Sequence, residues 1–150
     1  MNFMLKAIGL AIIFSVSTFV GLNASHRLKM RCEMLRNYEN GISVMFHRIK
    51  ADAGNIQNII SFCFKGDVTA ENGKINFKKD FLKKEDTELF EDFFKNIGRL
   101  NKTEELKRIE LFLVTLNAVK CEAEEKRHTL SKLYKSSGVL IGLMICIFLI

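Results

Sequence analysis

The side chains in this sequence that could do chemistry are scattered rather than grouped. His26, His47 and His128 stand alone, and no HExxH pair sets two imidazoles on one helical face for zinc. Cys32 with His47 is the one ligand pair left to weigh, and it lacks the short spacing that metal sites use. Gly73-Lys74 is followed by Ile75, where a phosphate-binding loop needs a hydroxyl, and Gly66 lies too far upstream. Glu122, Glu124 and Glu125 alternate with Lys120, Lys126 and Arg127, which makes a solvated, ion-paired helix face rather than paired catalytic carboxylates. The residues point to no catalytic, cofactor-binding or metal site, and so to a protein that is not an enzyme.

What must be positioned instead is apolar surface. The 150 residues carry 23 Lys and Arg against 17 Asp and Glu, a net charge of +6, yet the charges fill the middle. Ala7 to Ser25 and Ser136 to Ile150 hold no ionisable side chain. As helices these runs reach about 28 Å and about 22 Å, against a hydrocarbon core about 30 Å thick. The first is long enough to span. The second needs Leu133, Tyr134 and the stems of Lys132 or Lys135, which can snorkel. Its apolar residues surround the helix on every side, which suits lipid better than a small core.

Lys6 ahead of the first run also fits a secretory signal, but Ala24 has Leu22 at the minus-three place and His26, Arg27, Lys29 and Arg31 follow directly. An uncleaved anchor is the expectation. Arg27, Lys29, Arg31 and Arg36 flank the first run, and Lys126, Arg127, Lys132 and Lys135 flank the second. Basic flanks stay cytoplasmic. The organisation expected is a transmembrane anchor over 1–25, a cytoplasmic helical bundle over 26–132 and a transmembrane helix over 133–150. Arg27, Lys29, Arg31, Lys132, Tyr134 and Lys135 would lie at the membrane interface. The same residues account for the positive charge, and no aromatic–basic alternation marks a nucleic-acid face. Gly138-x-x-x-Gly142 is a small-residue motif that lets helices approach closely in lipid, and Ser17 and Gly21 repeat its spacing in the first run. Cys32, Cys63, Cys121 and Cys146 show no paired spacing, so they read as reduced, mostly buried residues.

Between the runs the pattern is helical, and the fold class expected is all-α. Leu28, Leu35, Ile42 and Ile49 recur every seven residues, with Cys32, Tyr38, Met45 and Phe46 widening the seam. Gly41 inside it marks a kink or a close contact. Ile56, Ile59, Ile60 and Cys63 make a short second helix between Asn55 and Gly66. Asn72-Gly73 sits between β-compatible runs, so residues 68–77 form a helix–helix connection able to close into a small hairpin. From Asp86 or Thr87 a third helix sets Leu89, Phe90, Phe93, Phe94 and Ile97 on one face and stops at Gly98. That face is a packing surface first. Its rival use is as a partner-binding patch built on Phe90, Phe93 and Phe94. Asn101 with Glu104 resembles a capping box for the last helix. Leu106, Ile109, Leu113, Leu116, Ala123, Leu130 and Tyr134 then keep a three-four spacing, interrupted at Lys120 and Arg127, and no Gly or Pro breaks the helix before Gly138.

The C-terminal stretch LSKLYKSSGVLIGLMICIFLI resembles the end of stage III sporulation protein AB. Lys132, Tyr134, Lys135, Ser136, Gly138, Val139, Leu140 and Gly142 fit that family's closing element, whereas Ser137 stands where Leu is usual. The stretch from Ile97 to Leu130 is similar to the family's last long helix, and Lys6-x-x-Gly9 to its anchor. The stretch KGDVTAENGKINFKKDFLKKED departs from the family's Ala- and Glu-rich helices. The resemblance implies a sporulation-specific, secretion-like channel complex between mother cell and forespore. It implies a non-enzymatic platform or scaffold in the outer forespore membrane, similar to the inner-membrane platform subunit of type II secretion and type IV pilus machines. Its implied partners are the complex's other membrane subunits, its cytoplasmic ATPase and membrane lipid, with no nucleic acid and no cofactor. The alternative function is a membrane-tethered signalling adaptor that binds a cytoplasmic partner through its Phe-rich helix.

Overall fold

A computed structural model describes residues 2–52, 54–64, 66–71 and 74–149. In chain order the elements are α1 (Asn2–Lys50), α2 (Ile56–Phe64), β1 (Val68–Glu71), β2 (Lys74–Phe77), α3 (Lys84–Asn96) and α4 (Lys102–Leu149). The chain divides into two compact units. Met1–Met30 with Ala123–Ile150 form one, and Arg31–Glu122 the other. The unit boundaries follow packing, so they fall at 30/31 and 122/123 rather than where the charge pattern changes, at 25/26 and 132/133.

The unit of residues 31–122 closes on the α1 seam. Cys32, Leu35, Tyr38, Ile42, Met45 and Ile49 are all buried, as three-four spacing on one helical face requires. Gly41 resolves as a close contact within an unbroken helix, because a Cβ there would stand 2.5 Å from Cε1 of Phe64. α2 supplies Ile59, Ile60 and Phe64 to the same core and stops before Gly66, whose φ of +93° only glycine adopts freely.

The connection does close into a hairpin. β1 and β2 pair antiparallel, with Val68 opposite Phe77 and Glu71 opposite Lys74. The expected Asn72-Gly73 turn lies outside the described residues. All-α is thus the right class, with one small two-stranded sheet added.

α3 begins at Lys84, ahead of the expected Asp86. Asp86 acts from inside the first turn, where its Oδ2 accepts the Lys83 N–H at 3.0 Å. Asn101 caps α4 as expected, its Oδ1 accepting the Glu104 N–H at 2.9 Å. Ile109, Phe112 and Leu116 of α4 complete the core. Seven rings, Tyr38, Phe64, Phe77, Phe90, Phe93, Phe94 and Phe112, form a continuous cluster, with Tyr38 and Phe90 centred 4.8 Å apart. Tyr38 donates its hydroxyl proton to the Lys78 carbonyl at 2.7 Å, and burial pushes its pKa up to about 12.

The other unit is a pair of helix segments from α1 and α4. Among the described residues no helix is long and apolar enough to cross a membrane. The fold therefore establishes helix over 2–25 and 133–149 of the two expected spans, 1–25 and 133–150, and not the crossing itself. Ala7, Leu10, Cys146 and residues 148–150 of the two uncharged runs lie outside the side chains that the structure describes.

Candidate functional site

In the unit formed by residues 1–30 and 123–150, the predicted small residues meet. Gly21 and Gly138 face each other, and a Cβ on Gly21 would lie 2.6 Å from the Tyr134 carbonyl oxygen and 3.4 Å from the Gly138 Cα. A Cβ on Gly138 would lie 3.1 Å from the Ser17 carbonyl oxygen, and one on Gly142 would lie 2.9 Å from Cδ2 of Phe14. Ser17 closes the seam by donating its Oγ–H to the Gly138 carbonyl at 2.8 Å. Further along, the hydroxyls of Ser25 and Ser131 bond to each other at 2.5 Å. Glycine is required at 21 and 138 because the neighbour there is backbone, which cannot rotate away, whereas Gly142 faces the Phe14 ring.

Over residues 11–22 and 139–147 the described outward surface of this unit is largely apolar. Ile12, Val16, Phe19 and Val20 on α1, with Leu140, Met144 and Ile147 on α4, are each more than half exposed. Large exposed apolar side chains gathered in this way mark a contact surface for a protein or a membrane. Arg27, Lys29 and Lys132 are exposed, and Tyr134 is 40% exposed. Lys135 lies in α4, with its side chain outside the described residues.

Arg31 corrects the expectation for the interface. It is buried, with its Nε and one terminal nitrogen on the two Asp86 oxygens at 2.7 and 2.8 Å. A guanidinium fork on a carboxylate is the strongest form of such a pair. Burial pushes the Asp86 carboxyl up, but the Arg31 hydrogen bonds and the Lys83 N–H outweigh it and hold it below its ordinary value. The Arg31 guanidinium is pushed up in turn by its hydrogen bonds to Asp86. This charge joins α1 to the start of α3 and is not offered to lipid. Lys120 likewise reaches across to Glu39, at 2.6 Å, from within the α4 stripe that it interrupts.

Phe90, Phe93 and Phe94 are at most 4% exposed, so they are core and not a partner face. An adaptor function resting on that face is overturned, because exposing the rings would dismantle the cluster around Tyr38. Cys32 and His47 stand fifteen residues apart on one helix, about 22 Å by helical rise, and share no metal. Cys121 is exposed, contrary to the mostly buried expectation for the cysteines, while Cys63 is half-buried with its thiol pushed up by burial.

Arg31 and Lys120 had a signal in the sequence. Arg31 falls between Leu28 and Leu35 at seam spacing, and Lys120 between Leu116 and Ala123. A charge at a seam position calls for an opposite charge across it.

Against protein-family models, residues 67–150 match stage III sporulation protein AB, more than half of the chain. The chain belongs to that family. No curated protein matches it, and no solved structure does. Family membership makes the role sporulation-associated. The matched span takes in the hairpin, α3 and all of α4, including Gly138 and Gly142 of the seam.

Proposed function

We propose that this member of the stage III sporulation protein AB family is a non-enzymatic membrane platform subunit of a sporulation-specific, secretion-like complex between mother cell and forespore. The observation that carries the reading is the Ser17–Gly21–Gly138–Gly142 seam, with aliphatic side chains facing outward around it. In lipid no hydrophobic force draws helices together, so backbone proximity and hydrogen bonds must hold them. That is the contact this unit makes. Support for insertion also comes from the sequence. The uncharged runs include Ala7, Leu10, Cys146 and residues 148–150, beyond the side chains described, and the first is about 28 Å long as a helix.

Orientation follows from Arg27, Lys29, Arg36, Lys126, Arg127, Lys132 and Lys135, since Arg31 is neutralised by Asp86. By the bias for basic flanks to stay inside, residues 31–122 are cytoplasmic, on the mother-cell side. There they dock the complex's ATPase, while the helix pair meets other membrane subunits and lipid. The role is mechanical: the helices fix the position and the aromatic-cored unit presents surfaces.

The test is a chain ending at Lys135, expressed in its host in place of the full one. The expected result is loss of the chain from carbonate-washed membranes together with loss of heat-resistant spores. Normal spore counts with the truncated chain reject the role. Digestion of residues 31–122 by protease added outside intact spheroplasts rejects the orientation.

A further inference from the structure

The β-hairpin has an edge that nothing in the described structure uses. The Lys78 N–H donates to the Asp67 carbonyl at 2.9 Å, which fixes the parity of the ladder. In an antiparallel pair, alternate residues face the partner strand. With the observed register, Lys74 and Asn76 bond toward β1, so Ile75 and Phe77 turn their N–H and C=O groups to the opposite edge. The sheet has two strands among the described residues, and that edge carries no third.

The edge borders a groove of about 550 Å³ between β2 and the end of α3. Its base is apolar, formed by Ile75, Phe77, Phe94 and Ile97. Its rim is cationic: Lys79, Lys95 and Arg99 line it and are exposed. The one carboxylate there, Glu91, is already paired with Lys79. Neither Lys95 nor Arg99 has a carboxylate partner among the described residues.

We propose that β2 and the end of α3 form a docking groove for an extended acidic segment of another protein, which adds to the hairpin as a third strand. Backbone groups of Ile75 and Phe77 would take the main-chain hydrogen bonds, the apolar base alternate side chains, and Lys95 and Arg99 the carboxylates. Charge selects this occupant over a second copy of the chain. Two β2 strands edge to edge would set Lys74, Lys78 and Lys79 of each against those of the other, and like charges across an edge repel. The inference deepens the docking role proposed above, but its test reads the groove itself, so strand capture and spore yield fail separately.

The test uses the full chain in detergent micelles and three capped eight-residue peptides. One alternates Glu and Val, one alternates Lys and Val, and one is the Glu–Val peptide N-methylated at every second residue. The Glu–Val peptide should slow amide exchange at Ile75 and Phe77 at least tenfold. Its affinity, read by fluorescence anisotropy, should fall at least tenfold in K95E/R99E and in the N-methylated peptide. Equal binding of the Lys–Val or N-methylated peptide overturns the proposal. So does protection of Ile75 and Phe77 that rises with protein concentration in the absence of peptide, which marks a second copy. Loss of peptide binding on adding phosphatidylglycerol vesicles or millimolar inorganic phosphate equally overturns it, marking a general anion site.

Discussion

The two units bury their surfaces by opposite means. Residues 31–122 bring together seven aromatic rings and a row of aliphatic side chains, so their contacts run between large side chains far from the backbone. Residues 1–30 and 123–150 meet through Gly21, Gly138, Gly142, Ser17, Ser25 and Ser131, and at Gly21 and Gly138 the contact is backbone on backbone. The first arrangement removes apolar area from water, at about 25 cal/mol per Å². The second leaves its aliphatic side chains outside and gains only close van der Waals contact and hydrogen bonds, which suffices where the surroundings are as apolar as the helices. Each unit thus carries the adhesion its proposed solvent permits. Gly41 against Phe64 is the place where the aromatic unit uses the same device, and there, as at Gly142, the neighbour is a ring.

The contrast can be broken by shrinking what is large in one unit and enlarging what is small in the other. Phe90→Ala should cost about 3–5 kcal/mol, as removal of a buried ring generally does. Urea unfolding followed by near-ultraviolet dichroism would measure it. Oxidative cross-linking between S25C and S131C, in the helix pair, should be unchanged by it. Equal loss of cross-linking would mean that the two units do not stand on separate contacts.

Arg31→Met leaves the Asp86 carboxylate buried without its partner and should cost about 3–5 kcal/mol, whereas R31M/D86L should recover most of that. The pair also makes stability depend on acid. Asp86 titrates below its ordinary value, so its contribution is full above about pH 4 and is lost as pH falls through the folded value. Acid unfolding of the full chain should therefore begin at higher pH in Arg31→Met. A midpoint unmoved by the substitution would remove Asp86 from the account.

In the helix pair, Gly138→Leu must push Ser17 away and should weaken the contact by about 1–3 kcal/mol. Reduced S25C–S131C cross-linking would report it, with unfolding of residues 31–122 unaltered. Normal cross-linking would mean that close approach is not what joins these helices. The smallest effect is expected from Lys120→Met. Its pair with Glu39 is partly exposed, so the loss should be about 0–1 kcal/mol and should shrink further in salt.

Much of this was legible along the chain. The α1 seam from Leu28 to Ile49, the stop at Gly66, the Asn101 cap and the small residues at 17, 21, 138 and 142 all follow from local spacing, and the fold uses each. The free edge of β2 was not legible, because it depends on which face of the hairpin α3 covers. Arg31 was misread for a related reason. A basic residue behind an apolar run has the composition of a membrane flank, and its partner Asp86 is 55 residues away.

The sequence by itself determined where helix forms, where it stops and which stripes are apolar, because those depend on residues within a turn or two of one another. Only the tertiary structure decided that Phe90, Phe93 and Phe94 are core, that Arg31 and Lys120 are paired, and that Gly138 lies against Gly21. Those outcomes depend on what arrives from far along the chain. The energy of a buried ring, charge or glycine is set by that neighbour and not by its own position.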